Sequence, residues 1–292
     1  MNRLVITHGR DNPYGVPDDL REDFEKPLRY GLERAKADYF KVIPIDFAFY
    51  GVLWRPDERK ATADDEEGER GERGEGNESE QQASPVQVEL ANEMLEASGV
   101  DPELAMEEER LGLDTITKIV GALQQYLPIP VSEAIMKKFV ADVGEYLNDA
   151  DMRESAIARV VETVSEASKT EEVVLLAHSM GTIVAYDALM RHPELPVSAY
   201  ISFGSPLGFK AVRKHLQRDA QGNTPFPPTP RRWINIYTED DVIAAVRPLE
   251  PFYPSGDARR VEDEVTPGRG HNLSDYLSSL KMGNVLRSIL EK

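Results

Sequence analysis

The sequence predicts an α/β protein: a doubly wound, mostly parallel sheet of about six strands carrying an all-helical insertion. Three observations lead there. Short runs of Val, Ile, Leu and Phe alternate with helix-spaced apolar stripes at both ends of the 292-residue chain. That alternation breaks between about residues 55 and 149, where an acidic run is followed by helical periodicity alone. Finally, residues 173–190 (VVLLAHSMGTIVAYDALM) pass from a buried strand through a turn of small residues straight into a helix.

Taken in order, residues 3–8 form a first strand, and Leu20, Phe24, Leu28, Leu32 and Ala35 recur at helical spacing behind it. A second strand is expected over 39–49. A strand, a crossover helix and a second strand at this spacing make a right-handed parallel unit. From Asp57 to Glu80 the chain then holds eleven acidic and four basic residues with almost nothing apolar, so the expectation is a disordered linker over 55–84. Residues 85–149 read as helices. Asp101 is expected to cap one of them, with Pro102 at its first position and a stripe of Leu113, Ile116, Val120, Leu123 and Leu127. Ser132 is expected to cap another, with Ile135, Met136, Phe139, Val140, Val143 and Tyr146 facing inward. Such an insertion lies over the carboxyl ends of parallel strands, which makes it lid-like. Alternation resumes after Asp151 with a helix to about Ser168. It continues with strands at 173–178, 197–203, 233–237 and 259–265, a short helix near 210–218, and a terminal helix from about Leu273.

Ser179 stands at the apex of the strand-to-helix turn. A serine held there is strained and exposed above the sheet edge, and the helix behind it aims backbone N–H groups at any negative charge forming beside it. The motif Ala-His-Ser-Met-Gly resembles the Gly-x-Ser-x-Gly turn of the α/β-hydrolase superfamily, and within it lipase-like and GPI inositol-deacylase-like members. It departs from that pattern at Ala177, where the requirement is small size. The resemblance covers 1–54 and 150–292 as a hydrolase core and leaves the linker and the helical segment without a known motif.

Serine needs a base, and the base needs an orienting carboxylate. Of the five histidines, His178 neighbours the serine with its side chain expected to project elsewhere. His192 follows the helix, His215 precedes any plausible acid, and His8 belongs to the first loop. His271, in a glycine-flexed loop opening the last helix, is left as the base. The resemblance implies the chain order serine, acid, histidine, which places the acid in Tyr-Thr-Glu-Asp-Asp, four residues after the tyrosine at Asp241, with Asp240 as the competitor. It also implies oxyanion donors from the backbone N–H groups of Met180 and, in the His-Gly loop, Arg10. Ser205 and Pro206 read as a plain turn.

The reading is a serine esterase acting through an acyl-enzyme on a small-molecule or lipid ester. An acyltransferase on the same residues, or a non-catalytic binding module on a hydrolase scaffold, are the alternatives. A net charge of −18 disfavours nucleic acid and acidic membranes as partners. No stretch approaches the ~20 apolar residues of a membrane span. The absence of cysteine and of clustered ligand spacing leaves no metal or cofactor implied. The N-terminus enters a strand without a signal-like segment, so the expectation is a cytoplasmic protein. Nothing in the sequence speaks to oligomeric state.

Overall fold

The computed structural model describes residues 2–8, 17–37, 43–54, 83–101, 117, 120, 121, 125 and 133–291. The acidic run from Asp57 to Glu80, the loop residues Gly9 and Arg10, the helix start at Pro102, the stripe residues Leu113, Ile116, Leu123 and Leu127, and the Ser132 cap all lie outside them.

Six strands form one parallel sheet: β1 (Asn2–Thr7), β2 (Ile45–Ala48), β3 (Glu172–His178), β4 (Val197–Phe203), β5 (Arg232–Tyr237) and β6 (Val261–Val265), in the order β2-β1-β3-β4-β5-β6. The order reverses between β1 and β3. In open parallel sheets the crevice at the carboxyl ends of such strands is where ligands bind. Because side chains alternate along a strand, each strand supplies both faces. Val174, Leu176, Ile201, Phe203, Ile234 and Ile236 join one core; Val173, Leu175, Ala177, Tyr200 and Trp233 join the other.

The first face is covered by α1 (Pro17–Arg34) and, at the end of the chain, by α7 (Leu273–Ser278) and α8 (Leu280–Leu290). Phe24, Leu28 and Leu32 are buried there, as the helical stripe requires. α1 and α8 cross at two glycines. A Cβ on Gly283 would stand 2.1 Å from the Gly31 carbonyl oxygen, so this close crossing admits no side chain. The single terminal helix expected from Leu273 is broken at Ser279, whose Oγ accepts the Met282 amide at 3.0 Å and starts α8 afresh.

The second face is covered by α2 (Pro85–Ala97), α3 (Glu133–Asn148), α4 (Ala150–Ser168), α5 (Gly181–Arg191) and the one-turn α6 (Lys210–Arg213). α2 opens with Pro85 at its first position and the Gln87 side chain accepting the Ser84 amide at 2.8 Å. Its Glu93 carboxylate accepts the Lys210 and Ala211 amides at 2.6 and 3.0 Å, capping α6. Val86, Leu90 and Met94 of α2 and Met136, Val140, Val143 and Tyr146 of α3 enter the same apolar core as Leu175 and Ile183. The described helices of the insertion therefore join this core through other helices, α2 packing against α3 and α6 and α3 against α4. One member of the expected stripe is corrected. Ile135 is 51% exposed, because inward residues recur from Met136 through Phe139, Val140 and Val143 and leave this side chain turned to solvent.

Candidate active site

Ser179 follows the last residue of β3 with φ of 55°, in the left-handed region. For a residue with a Cβ this conformation costs about 1–3 kcal/mol and persists where the surroundings fix it. Here they do. The Ser179 amide continues the ladder to the Phe203 carbonyl at 3.2 Å, and its own carbonyl accepts the Thr182 amide at 3.0 Å and the Thr182 hydroxyl at 2.7 Å. Thr182 in turn lies 2.9 Å from Ser205 Oγ, which also accepts the Leu207 amide at 3.3 Å; Ser205 thus serves the turn, as its sequence context suggested.

Gly181 shows why a glycine must open α5. A Cβ there would come within 2.8–2.9 Å of the backbone of His8, so the loop leaving β1 rests directly on the first turn of the helix. The Met180 carbonyl accepts the amides of Ile183 and Val184, while the Met180 amide donates to no acceptor among the described residues. An unspent N–H next to the serine is the geometry an oxyanion donor needs. Arg10, the other expected donor, lies outside the described residues.

Asp241 sits in the turn after β5, with its side chain fully buried. His271 Nδ1 lies 2.9 Å from Oδ2 and 3.1 Å from Oδ1 of this carboxylate. The Tyr276 hydroxyl donates to Oδ2 at 2.7 Å, and the Ile243 and Ala244 amides donate to Oδ1 at 2.9 and 3.3 Å. Burial alone would raise this carboxyl, but His271, the Tyr276 hydroxyl and the Ile243 amide outweigh it and hold the group below the usual carboxylate range. The neighbouring Asp240 acts elsewhere. Its Oδ1 accepts the Gly270 amide at 3.0 Å and so braces the loop carrying His271. Gly204, at the end of β4 with φ of 54°, leaves the room this pair occupies; a Cβ there would stand 3.0 Å from His271 Cε1 and 3.2 Å from Asp241 Oδ2.

The structure thus brings Asp241 and His271 together and puts Ser179 directly after the strand between β1 and β4. The link between the two parts is His178. Its ring stacks on that of His271, with centroids 4.6 Å apart and planes 21° apart, and neither ring nitrogen has a hydrogen-bond partner among the described residues. Strand alternation sends His178 to the face of Val174 and Leu176, the face on which Tyr276 and the His271 loop close. Of the remaining histidines, His192 lies 3.0 Å from Glu194 at the surface, and His8 packs against Phe24 and Phe49.

Tyr276 is a member of the site that sequence reasoning missed. It accepts the Thr238 amide at 3.0 Å while donating to Asp241, and burial, together with the negative charge of Asp241, pushes its hydroxyl far above the usual tyrosine range. A signal existed: Tyr276 stands five residues after His271, on the helix that the His271 loop opens, and a buried tyrosine needs a polar partner.

Residues 132–239 match the family model described as the PGAP1-like alpha/beta domain, a lipase-like α/β-hydrolase family. The matched segment contains Ser179 and stops short of Asp241 and His271. No curated protein matches the chain. Among solved structures, dienelactone hydrolase from Anabaena variabilis ATCC 29413 aligns over 99% of this chain and 83% of its own, at 14% identity and a TM-score of 0.37. The parallel six-stranded sheet with flanking helices is consistent with the α/β-hydrolase fold, and the family match supports hydrolase activity on a small-molecule substrate in general terms. Among the described residues, no helix is long and apolar enough to cross a membrane.

Proposed function

We propose that the protein is a serine hydrolase that cleaves a carboxylic ester through an acyl-enzyme. The observation that carries this reading is the coincidence of a left-handed Ser179 at the end of β3 with a buried Asp241–His271 pair at 2.9 Å, the two joined through the His178 ring. In this scheme His271 Nε2 accepts the Ser179 proton as Oγ bonds to the ester carbonyl carbon. The resulting oxyanion takes the N–H groups of Met180 and Arg10. Collapse breaks the bond to the leaving oxygen, which receives the proton from His271 and departs as an alcohol. Water, deprotonated by the same imidazole, then attacks the acyl-enzyme and releases the carboxylic acid and free Ser179. Asp241 stays ionised throughout, fixes the Nδ1–H tautomer and offsets the charge of the imidazolium.

A lipid ester is the substrate form this reading favours, with 85–149 as a lid-like insertion. Support comes from the apolar residues of α2 and α3, which share a core with Met180 beside the nucleophile. Hydrolysis of p-nitrophenyl esters of increasing acyl length tests both parts. Turnover should be absent in Ser179→Ala with the fold retained, and in the wild type it should rise with chain length. Full turnover by the alanine variant would remove Ser179 from the mechanism, and a preference for acetate over longer chains would remove the lipid ester.

A further inference from the structure

His178 is a costly residue for its place. It is 1% exposed, and neither ring nitrogen has a hydrogen-bond partner among the described residues. Buried polar atoms are almost always bonded, so an exception calls for an explanation. Both nitrogens are sealed from solvent, so a substrate has no route to the edge of the ring. What the ring offers is its faces. The plane of Phe203 lies 28° from that of His178 at a centroid separation of 5.1 Å, His271 lies 21° away at 4.6 Å, and Tyr276 tilts against it at 6.0 Å. The His271 imidazole is therefore held along its Nδ1 edge by Asp241 and across its face by His178.

From this geometry, and resting on the serine-hydrolase reading above, we propose that His178 is a positioning residue: an uncharged stacking platform that fixes the plane of His271. The stack opposes rotation of the imidazole about the Nδ1–carboxylate axis, a motion that the hydrogen bond to Asp241 does not by itself prevent. The platform must also stay neutral, since His271 becomes a cation in each turnover and a second cation at 4.6 Å would oppose it. Burial first, and then the positive charge His271 and His8 would place nearby, push His178 well below the usual histidine range. An imidazolium over the face of a neutral ring is favourable, whereas two stacked imidazolium ions are not.

Two substitutions separate the face of the ring from its nitrogens. His178→Phe keeps a stacking face, and His178→Leu fills the space without one. Both delete the unbonded nitrogens, so both should fold, with Tm equal to or above that of the wild type. We expect the leucine variant to lose about tenfold to hundredfold in kcat and in the rate of fluorophosphonate labelling, with KM changed less than about threefold, as for a displaced catalytic group. The phenylalanine variant should recover to within about threefold of the wild type. The His271 ring protons, read by NMR without any turnover, should carry ring-current shifts in the wild type and the phenylalanine variant and lose them in the leucine variant. Wild-type rates in His178→Leu, or a phenylalanine variant as slow as leucine, would overturn the proposal. If the wild type neither labels nor hydrolyses esters, the hydrolase reading fails instead, and the NMR comparison still decides whether His178 sets the plane of His271.

Discussion

Two aspartates, Asp241 and Asp187, are buried to almost the same degree, and their surroundings set the proposed catalytic carboxylate apart from a structural one. Each accepts a tyrosine hydroxyl, Asp241 from Tyr276 at 2.7 Å and Asp187 from Tyr146 at 2.8 Å, and each has a basic partner, His271 or Arg153. They differ in how the donors are spread. Asp241 has donors on both oxygens, including two backbone amides of its own turn, whereas Asp187 receives Tyr146 and Arg153 on Oδ2 and nothing on Oδ1 among the described residues. Burial accordingly pushes Asp187 above the ordinary range against the pull of Arg153 and Tyr146, while Asp241 is held below it. The backbone turn, already folded around the carboxylate, makes Asp241 a fixed anion suited to chemistry. Asp187 instead bolts α3 and α4 to α5, and Arg153 extends the bolt to the His215 carbonyl at 2.9 Å.

Substitution of each aspartate by asparagine breaks this comparison most sharply. Asp241→Asn should lower kcat by about 10³ to 10⁴, because the imidazole loses its orienting anion, whereas Asp240→Asn should cost less than ~10-fold. Steady-state ester hydrolysis reads both; the reverse ranking would move the orienting role one residue back.

Asp187→Asn should do the opposite. It leaves the Arg153 guanidinium, which is 12% exposed, without its counter-charge, a loss of about 3–5 kcal/mol in stability with kcat changed less than about tenfold. Urea denaturation measures the first and ester turnover the second. A variant as stable as the wild type would dissolve the distinction between the two carboxylates.

A smaller effect sharpens it. Because the folded Asp241 carboxyl is more acidic than the unfolded one, its contribution to stability is complete above the unfolded value and is lost as pH falls through the folded value. The stability gap between wild type and Asp241→Asn should therefore close as pH falls below about 4. A gap unchanged down to pH 3 would contradict the assignment of a depressed pKa.

The sequence carries the strands and the separate parts of the site better than it carries their assembly. β3 up to His178 follows from the unbroken apolar run over 173–177, β4 over Val197–Phe203 from Val197, Tyr200, Ile201 and Phe203 with two serines the only polar residues between them, and the stripe of α1 from simple periodicity. β6 is a fainter signal because it is an edge strand carrying Glu262, Asp263 and Glu264, two of which answer Arg232 and Lys281 on neighbouring elements. α6 ends at Arg213 rather than near Arg218, and its amides are capped by Glu93, more than a hundred residues earlier. Ser179, Asp241 and His271 are candidates picked out by residue type and by the order that the resemblance implies, and of these the sequence foreshadows the Asp241–His271 contact and the left-handed turn at Ser179. The stacking of His178 was not legible, and the spacing of Tyr276 from His271 hinted at its place without giving its partner, since both contacts depend on how the last loop closes over the end of β3. No local pattern encodes that closure.

The central claim, that Ser179 is a nucleophile activated by His271, is tested most directly by reacting the protein with a fluorophosphonate and locating the adduct by peptide mass spectrometry. The expected result is a single stoichiometric adduct on Ser179 that is absent in Ser179→Ala and slowed by several orders of magnitude in His271→Ala, since such residues act as a unit. An adduct on another residue, or labelling of Ser179 at an undiminished rate without His271, would contradict it.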